Sequence, residues 1–299
     1  MISLRQVRYF IATAESGQVS AAARLLRVSQ SAVTLAVREL ERDLGVTLLD
    51  RRANGVSLTR EGLQFLYHAR NIQASVSDAL QSMRQDTLET RGELSIGVSY
   101  TVSGYFLFPL LARFRRSFPE ISVRVEEGGS RDIEAKLVSG ELDCAVMLAS
   151  SEDDANTFTF KPLLRAQRRL WLCGGHRLLA HDRVPLEEVA GEPYVMLATD
   201  VVEQVTLAYW RKEGLAPRVV FRTYSLEAVR SMVATGAAVT ILADISYRPW
   251  SLDGSRVEAR RLACSIPPMI IGLIAVRGRT LSTPCRLFRR FMIDASKNG

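Results

Sequence analysis

Three groups of residues in this sequence have types and spacings suited to binding rather than to bond-making. Gln30, Ser31, Thr34, Arg38 and Glu41 recur on one side of a helical period whose other side is Ala32, Val33, Ala36, Val37 and Leu40. An exposed row of amide, hydroxyl and guanidinium groups on a helix is equipped to hydrogen-bond base edges and phosphates. Arg51 and Arg52 lie beside the dipeptide Asn54-Gly55, where extended side chains can reach backbone phosphates. Ser99, Tyr100 and Thr101 follow a strand-like run (Leu94, Ile96, Val98) and precede a helical one. Hydroxyls and free N–H groups at such a junction can hold an anionic group, and Tyr100 adds an aromatic wall. Catalytic motifs are missing: there is no G-x-S-x-G, Walker loop, G-x-G-x-x-G or H-E-x-x-H. His176 and His181 are five apart with no matching Cys or carboxylate pattern, so neither a metal site nor a cofactor is expected.

The elements that must position these groups are legible from periodicity. Leu4, Val7, Phe10, Ile11 and Ala14 predict a first helix that Gly17 stops. Ser20 offers a cap for a second helix through Ala21, Ala22, Ala23, Leu25 and Leu26; Arg27 and Val28 make a turn, and Ser29 caps the third. Two short helices joined by so brief a turn form a helix-turn-helix, with the third helix placed to enter a major groove. After Leu44-Gly45 the period changes to alternation, with Val46, Leu48, Val56 and Leu58 around Asn54-Gly55. Asn-Gly favours a type I′ hairpin turn, which makes the unit winged. From Thr59 the pattern is helical again, and Phe65, Ala69, Ile72, Val76, Ala79 and Met83 recur at alternating steps of four and three, a coiled-coil seam expected to dimerise. Residues 86–92 are charged, end in glycine and read as a hinge.

Beyond the hinge, strand and helix patterns alternate as in an α/β domain. Strands are expected at Leu94 to Val98, Ile121 to Val125 and Cys144 to Leu148, with helices from Phe106 to Phe118 and Ile133 to Ser139. The register changes at Lys161-Pro162, and further strands follow near Arg169, Tyr194, Val219 and Val239. A last strand, Met269 to Val276, and a helix from Thr283 come after Pro267-Pro268. A late return of this kind gives two lobes joined by two crossovers.

Composition agrees. The net charge is +7, and residues 1 to 60 hold nine Arg against five Asp or Glu, a local excess that favours a polyanion. Four scattered cysteines, Cys144, Cys173, Cys264 and Cys285, fit reduced thiols in a cytoplasmic protein. Neither a signal peptide nor a membrane span is expected, since no window approaches the roughly 18 apolar residues a span needs.

With these residues in place, the chain resembles the LysR-type transcriptional regulators over essentially its whole length. The segment AAARLLRVSQSAVTLAVRELERDLGVTLLDRRANGVSLTREG, Ala21 to Gly62, is similar to the family's helix-turn-helix and wing, and VSGELDCAV, Val138 to Val146, to its effector domain. The resemblance implies a winged helix-turn-helix over 1–59, a dimerisation helix and hinge over 60–91, and a periplasmic-binding-protein-like α/β effector domain over 92–299. Within the last, lobe I would be 92–162 and 267–299, and lobe II 163–266. It implies an operator of double-stranded DNA with interrupted palindromic half-sites, self-association as dimers and tetramers, an unidentified small-molecule effector and, for an activator, RNA polymerase as a partner. Ser29, Gln30, Ser31 and Thr34 would lie at the groove with Arg38 beside them, Arg51 and Arg52 would touch backbone, and Ser99, Tyr100, Thr101, Ser130 and Thr199 would line the effector cleft. Two positions depart from the family pattern: Ser31 stands where proline is common, and Leu35 where arginine is common. Leu35 cannot donate to a phosphate, but it can touch a thymine methyl. The rival readings are a DNA-binding protein with no effector response and a cytoplasmic solute-binding protein; a ligand-dependent DNA footprint separates them from a regulator.

Overall fold

The computed structural model describes residues 2–52, 55–82, 91–149 and 156–297. The chain divides into two compact units, Met1–Thr87 and Leu88–Gly299. No described helix is long and apolar enough to cross a membrane.

The first unit contains α1 (Leu4–Ser16), α2 (Val19–Leu26), α3 (Gln30–Leu44), the hairpin β1 (Leu49–Arg52) and β2 (Gly55–Leu58), and α4 (Arg60–Ser82). Ser3 and Gln6 close α1 with a reciprocal capping box, and Gly17 ends it in the left-handed conformation. The chain turns so sharply there that α2 starts at Val19; the expected cap Ser20 lies inside the helix, and Gln18 precedes it without a side-chain cap. Arg27, at φ 56°, makes the turn into α3, and Ser29 Oγ accepts the Ala32 N–H at 3.2 Å. Val7, Phe10 and Ile11 pack against Ala22, Ala23, Val33, Val37 and Leu40, and burying these side chains holds the three helices together.

The hairpin departs from the expected Asn54-Gly55 turn. Gly55 pairs with Arg52 within the ladder, while Asn54 lies outside the described residues. Gly55 has φ 134°, and a Cβ on it would come within 2.6 Å of the Gly17 carbonyl oxygen, which also accepts the Val56 N–H at 2.8 Å. The glycine is therefore needed for close approach to the end of α1. Nor does alternation begin at Val46: Leu48 and Leu49 are consecutive buried residues, and the strand starts at Leu49.

The seam expected along α4 is partly used within the chain. Ala69 is fully buried in the first unit's core, and the Phe65 ring meets the Phe10 ring at 5.3 Å. Ala69 is thus corrected from a dimer seam to intrachain packing, because α4 lies directly on α1, while Phe65 is half-buried against the same core. Among the described residues, the large apolar side chains that α4 leaves exposed are Leu63, Tyr67 and Ile72; Val76 is half-buried. The Ala79 side chain, Met83 and residues 86–90 of the expected hinge lie outside the described part, and Gly92 already opens the next strand.

The second unit runs β3 (Gly92–Ser99), α5 (Tyr100–Val102), a π-helical turn (Ser103–Leu107), α6 (Phe108–Ser117), β4 (Ile121–Gly128), α7 (Ser130–Ser139), β5 (Cys144–Leu148), β6 (Phe158–Ala166), β7 (Arg168–Cys173), β8 (Arg183–Val184), α8 (Leu186–Ala190), β9 (Pro193–Leu197), α9 (Asp200–Lys212), β10 (Arg218–Thr223), α10 (Leu226–Ala234), β11 (Thr240–Ala243), β12 (Val257–Leu262), β13 (Met269–Val276) and α11 (Thr283–Lys297). Lobe I is a five-stranded sheet in the order β4-β3-β5-β13-β6, with β3 parallel to β4 and β5, and β13 antiparallel to β5 and β6. Lobe II holds the sheet β11-β7-β12-β8 and the parallel pair β9/β10. The register change expected at Lys161-Pro162 is an irregularity inside β6, which stays in the lobe I sheet to Ala166. The helix expected from Phe106 begins instead at Tyr100: Val102 and Leu107, both fully buried, are five residues apart, a spacing that a π-helical turn keeps on one face.

Because Ile72 is 40 % exposed and Ala69 is 0 % exposed, charging them has different consequences. Ile72→Glu is expected to leave thermal unfolding of the chain nearly unchanged while lowering the oligomer mass seen by sedimentation. Ala69→Glu is expected to destabilise the first unit by about 3 kcal/mol or more, since it buries an unpaired charge. Equal melting losses in both variants would show Ile72 to be a core position instead.

Candidate nucleic-acid interface and ligand cleft

α3 presents Gln30, Ser31, Leu35 and Arg38 to solvent with Thr34 half-buried beside them, while Val33, Ala36, Val37 and Leu40 face inward. These polar groups thus share one face, as the sequence period requires. Ser29 is exposed, but its hydroxyl is already engaged by the Ala32 N–H and by the Ser31 hydroxyl at 2.9 Å. Leu35 is 60 % exposed, an apolar contact set among polar ones. Arg51 and Arg52 are in β1, paired with Val56 and Gly55; their side chains lie outside the described part. The wing is fixed by a residue read only as part of the polar face: Glu41 Oε1 accepts the N–H groups of Leu48 at 2.8 Å and Leu49 at 3.1 Å. One carboxylate near the end of α3 thereby sets where β1 begins.

The expected cleft residues stand at the carboxyl ends of parallel strands, where α/β folds place ligands. Ser99 ends β3 and is in register with Gly128 at the end of β4, so Ser99, Tyr100, Thr101 and Ser130 gather at one edge of lobe I. Thr199 follows β9 in lobe II and precedes α9. Ser99 and Thr199 occupy helix-capping positions, yet neither side chain caps, and Ser99 Oγ and Thr199 Oγ1 are buried without a hydrogen-bond partner. Buried hydroxyls are ordinarily satisfied, so two orphans at strand ends mark positions suited to a ligand. Tyr100 is half-exposed.

A polar network that the sequence reading missed bridges the lobes. The Tyr105 hydroxyl of lobe I donates to Glu227 Oε1 at 3.3 Å and accepts from an Arg230 NH2 group at 3.4 Å. Arg230 is 1 % exposed and also donates to the carbonyls of Ser246 and Arg248, while the Arg248 guanidinium stacks 5.4 Å from the Tyr105 ring. Burial raises the Tyr105 pKa, the largest influence on it, so the phenol stays a donor. Within lobe I, Ser103 in the π-helical turn donates to Glu127 beside Gly128. The available signal was an arginine at an apolar position of α10, between Val229 and Val233. His176 and His181 serve structure: His176 Nδ1 accepts the Leu178 N–H at 3.2 Å, and His181 pairs with Glu188.

Comparison with known proteins matches both units. Residues 4–63 match the model of the bacterial regulatory helix-turn-helix protein, lysR family, and residues 88–297 that of the LysR substrate binding domain. A hydrogen peroxide-inducible genes activator of Pectobacterium carotovorum is 30% identical over 246 residues, 82% of this chain and 81% of that protein. The DNA-binding transcriptional dual regulator OxyR of Escherichia coli is 29% identical over 249 residues, 83% of this chain and 81% of its own. The crystal structure of HinK, a LysR family transcriptional regulator from Pseudomonas aeruginosa, superposes with a TM-score of 0.64 at 27% identity, covering 98% of both chains.

Glu41→Ala removes the acceptor of two N–H groups on buried residues. Loss of about 1.5–3 kcal/mol in stability is expected, the worth of hydrogen bonds to a charged group. Urea unfolding followed by circular dichroism reads it, and an unchanged midpoint would show the wing to be held by other contacts.

Proposed function

This chain belongs to the LysR family, a DNA-binding transcriptional regulator with an effector domain and not an enzyme, and we propose that its effector is a small metabolite carrying an anionic group, held between the lobes by the hydroxyls of Ser99 and Thr199. The observation that carries this reading is the pair of buried, unpartnered hydroxyls at strand ends. Thr101, Ser130 and the Tyr100 ring complete the proposed contacts. Ligand binding between lobes favours the closed arrangement by its difference in affinity for closed and open states. A coupling of about 1–3 kcal/mol changes operator affinity roughly 5- to 150-fold.

On the DNA side, Gln30, Ser31, Thr34, Leu35 and Arg38 read the major groove, Ser29 orders the start of the helix, and Arg51 and Arg52 neutralise phosphates. The family is oligomeric. Here the dimer face is assigned to the exposed side of α4 around Leu63, Tyr67 and Ile72, with Val76 at its margin. RNA polymerase is the further partner where the outcome is activation, and the cytoplasm is the assigned compartment.

Two of the relatives are named for hydrogen peroxide or as OxyR. A thiol sensor needs an accessible thiolate. In this chain Cys144 and Cys285 are fully buried, and the hydrogen bond to the Cys285 thiol, together with burial, pushes the Cys144 pKa up; Cys173 and Cys264 are half-buried, and burial likewise pushes the Cys264 pKa up, away from a reactive thiolate. The proposed cleft residues are hydroxyls and a phenol, so a reversibly bound metabolite fits better than oxidation of a thiol.

Two experiments test the reading. In selection from a randomised operator library, Gln30→Ala and Thr34→Ala are expected to change the preferred bases, each costing about 1–3 kcal/mol at a contacted pair. Arg51→Ala should weaken all DNA alike and lower the salt slope by about 1; an unchanged consensus and slope would remove these residues from the interface. For the effector, a thermal-shift screen of the full chain against anionic metabolites should yield a stabilising compound that alters operator affinity. Ser99→Ala with Thr199→Val should abolish that response and leave ligand-free DNA binding intact. Full ligand affinity in the double variant, or a response to peroxide instead, would overturn the assignment.

A further inference from the structure

Away from the interlobe cleft, the ends of β7, β8 and β12 and the segment after β12 line an open pocket of about 390 Å³, a size typical of small-ligand sites. Four of its lining residues are arginines: Arg168, Arg169, Arg183 and Arg261. Arg169 has a counter-ion, Asp244 at 2.8 Å, whose carboxylate also feels Arg261. Glu187 and Glu213 act on the Cys264 thiol, another lining residue. Among the described residues, none of these carboxylates forms an ion pair with Arg168, Arg183 or Arg261.

Arg168 is the most telling of the four. It is 8 % exposed, and its hydrogen bond is from Nε to the Pro267 carbonyl at 3.0 Å. The rest of the guanidinium is left without an anion, and burial pulls its pKa below the usual arginine range. A buried charge without a counter-ion is costly. Arg183 and Arg261 add to that cost, since they are direct register partners in the parallel pair β8/β12, and like charges side by side across strands repel. Water reaches the exposed Arg183 and Arg261, but packing does not explain the buried Arg168 charge beside them, and a bound anion would pair with all three. Guanidinium groups suit oxyanions because their forked donors match two oxygens at once.

The location carries a consequence. Gln167 comes from the first interlobe crossover and Ile266 from the start of the second, and both line the pocket. Arg168 ties the two crossovers together through Pro267. We propose that this pocket is a second ligand site of the effector domain, in which Arg168, Arg183 and Arg261 bind a small oxyanion carried by a phosphoryl or carboxylate group at the hinge between the lobes. Its occupancy stiffens the two crossovers and so biases lobe closure independently of the cleft ligand.

Calorimetric titration of the full chain with inorganic phosphate, and separately with succinate, at constant ionic strength tests this. One saturable site for either anion is expected, and the tighter binder identifies the group the site prefers. Arg183→Ser with Arg261→Ser, both exposed positions, should weaken binding about tenfold or more. Arg218→Ser, an exposed arginine on β10 outside the pocket lining, should not. Arg168→Gln should abolish binding where circular dichroism shows the chain folded, and the exposed pair decides the matter where it does not. No saturable binding of either anion, or equal affinity in the Arg183/Arg261 variant, overturns the proposal. Binding that survives in that variant but is lost in Ser99→Ala/Thr199→Val would place the anion in the cleft, overturning this inference and leaving the reading of the cleft intact.

Discussion

β13 lies between β5 and β6, antiparallel to both, and this single placement determines the architecture of the effector domain. A chain that must return to the centre of its first sheet cannot attach the intervening residues by one linker. It leaves lobe I after Ala166 and comes back before Met269, so lobe II hangs on two adjacent crossovers. Two strands of connection permit a hinge but oppose free rotation. The parallel strands β3 and β4 therefore present their carboxyl ends toward a neighbour whose motion is restricted, the condition a two-state ligand clamp requires.

The polar chemistry of that domain is arranged around the same constraint. Tyr105, Glu227, Arg230 and Arg248 satisfy one another across the lobes, whereas Ser99 Oγ and Thr199 Oγ1 are left unpaired at strand ends. In a low-dielectric interior a satisfied network rigidifies and an unpaired group costs free energy. The first therefore reads as a latch between lobes and the second as a reserve for ligand. Arg168 at the crossovers follows the same logic with a larger charge, because a buried guanidinium without a counter-ion is harder to account for by packing than two hydroxyls.

In the first unit the dependence runs through α3. Its inward residues are claimed by α1 and α2, which leaves its polar row outside, and Glu41 near its end fixes the first residues of the wing. The polar row and the wing are thus mechanically joined through one helix. α4 divides similarly: Leu66 and Ala69 are committed to the unit's own core, and Leu63, Tyr67 and Ile72 are not.

Periodicity by itself determined most elements of both units, including α3 with its polar row, β13 from Met269 to Val276 and the two-lobed return of the chain. These were legible because burial on one face of a helix or strand imposes a repeat that neighbouring residues must obey. What only the tertiary structure decided concerns residues whose partners are far away in sequence. A 4-3 stripe says that Ala69 is buried but not by what, and the answer is the core that α1 builds in the same chain. Asn54-Gly55 reads as a turn, yet Gly55 serves its contact with Gly17. Arg168, 99 residues from Pro267, looks in sequence like an ordinary surface charge, and the apolar position of Arg230 says that it is buried but not that its partner is Tyr105, 125 residues away. Local pattern encodes how much of a side chain is buried, while electrostatic partnership depends on through-space distance, which the fold alone supplies.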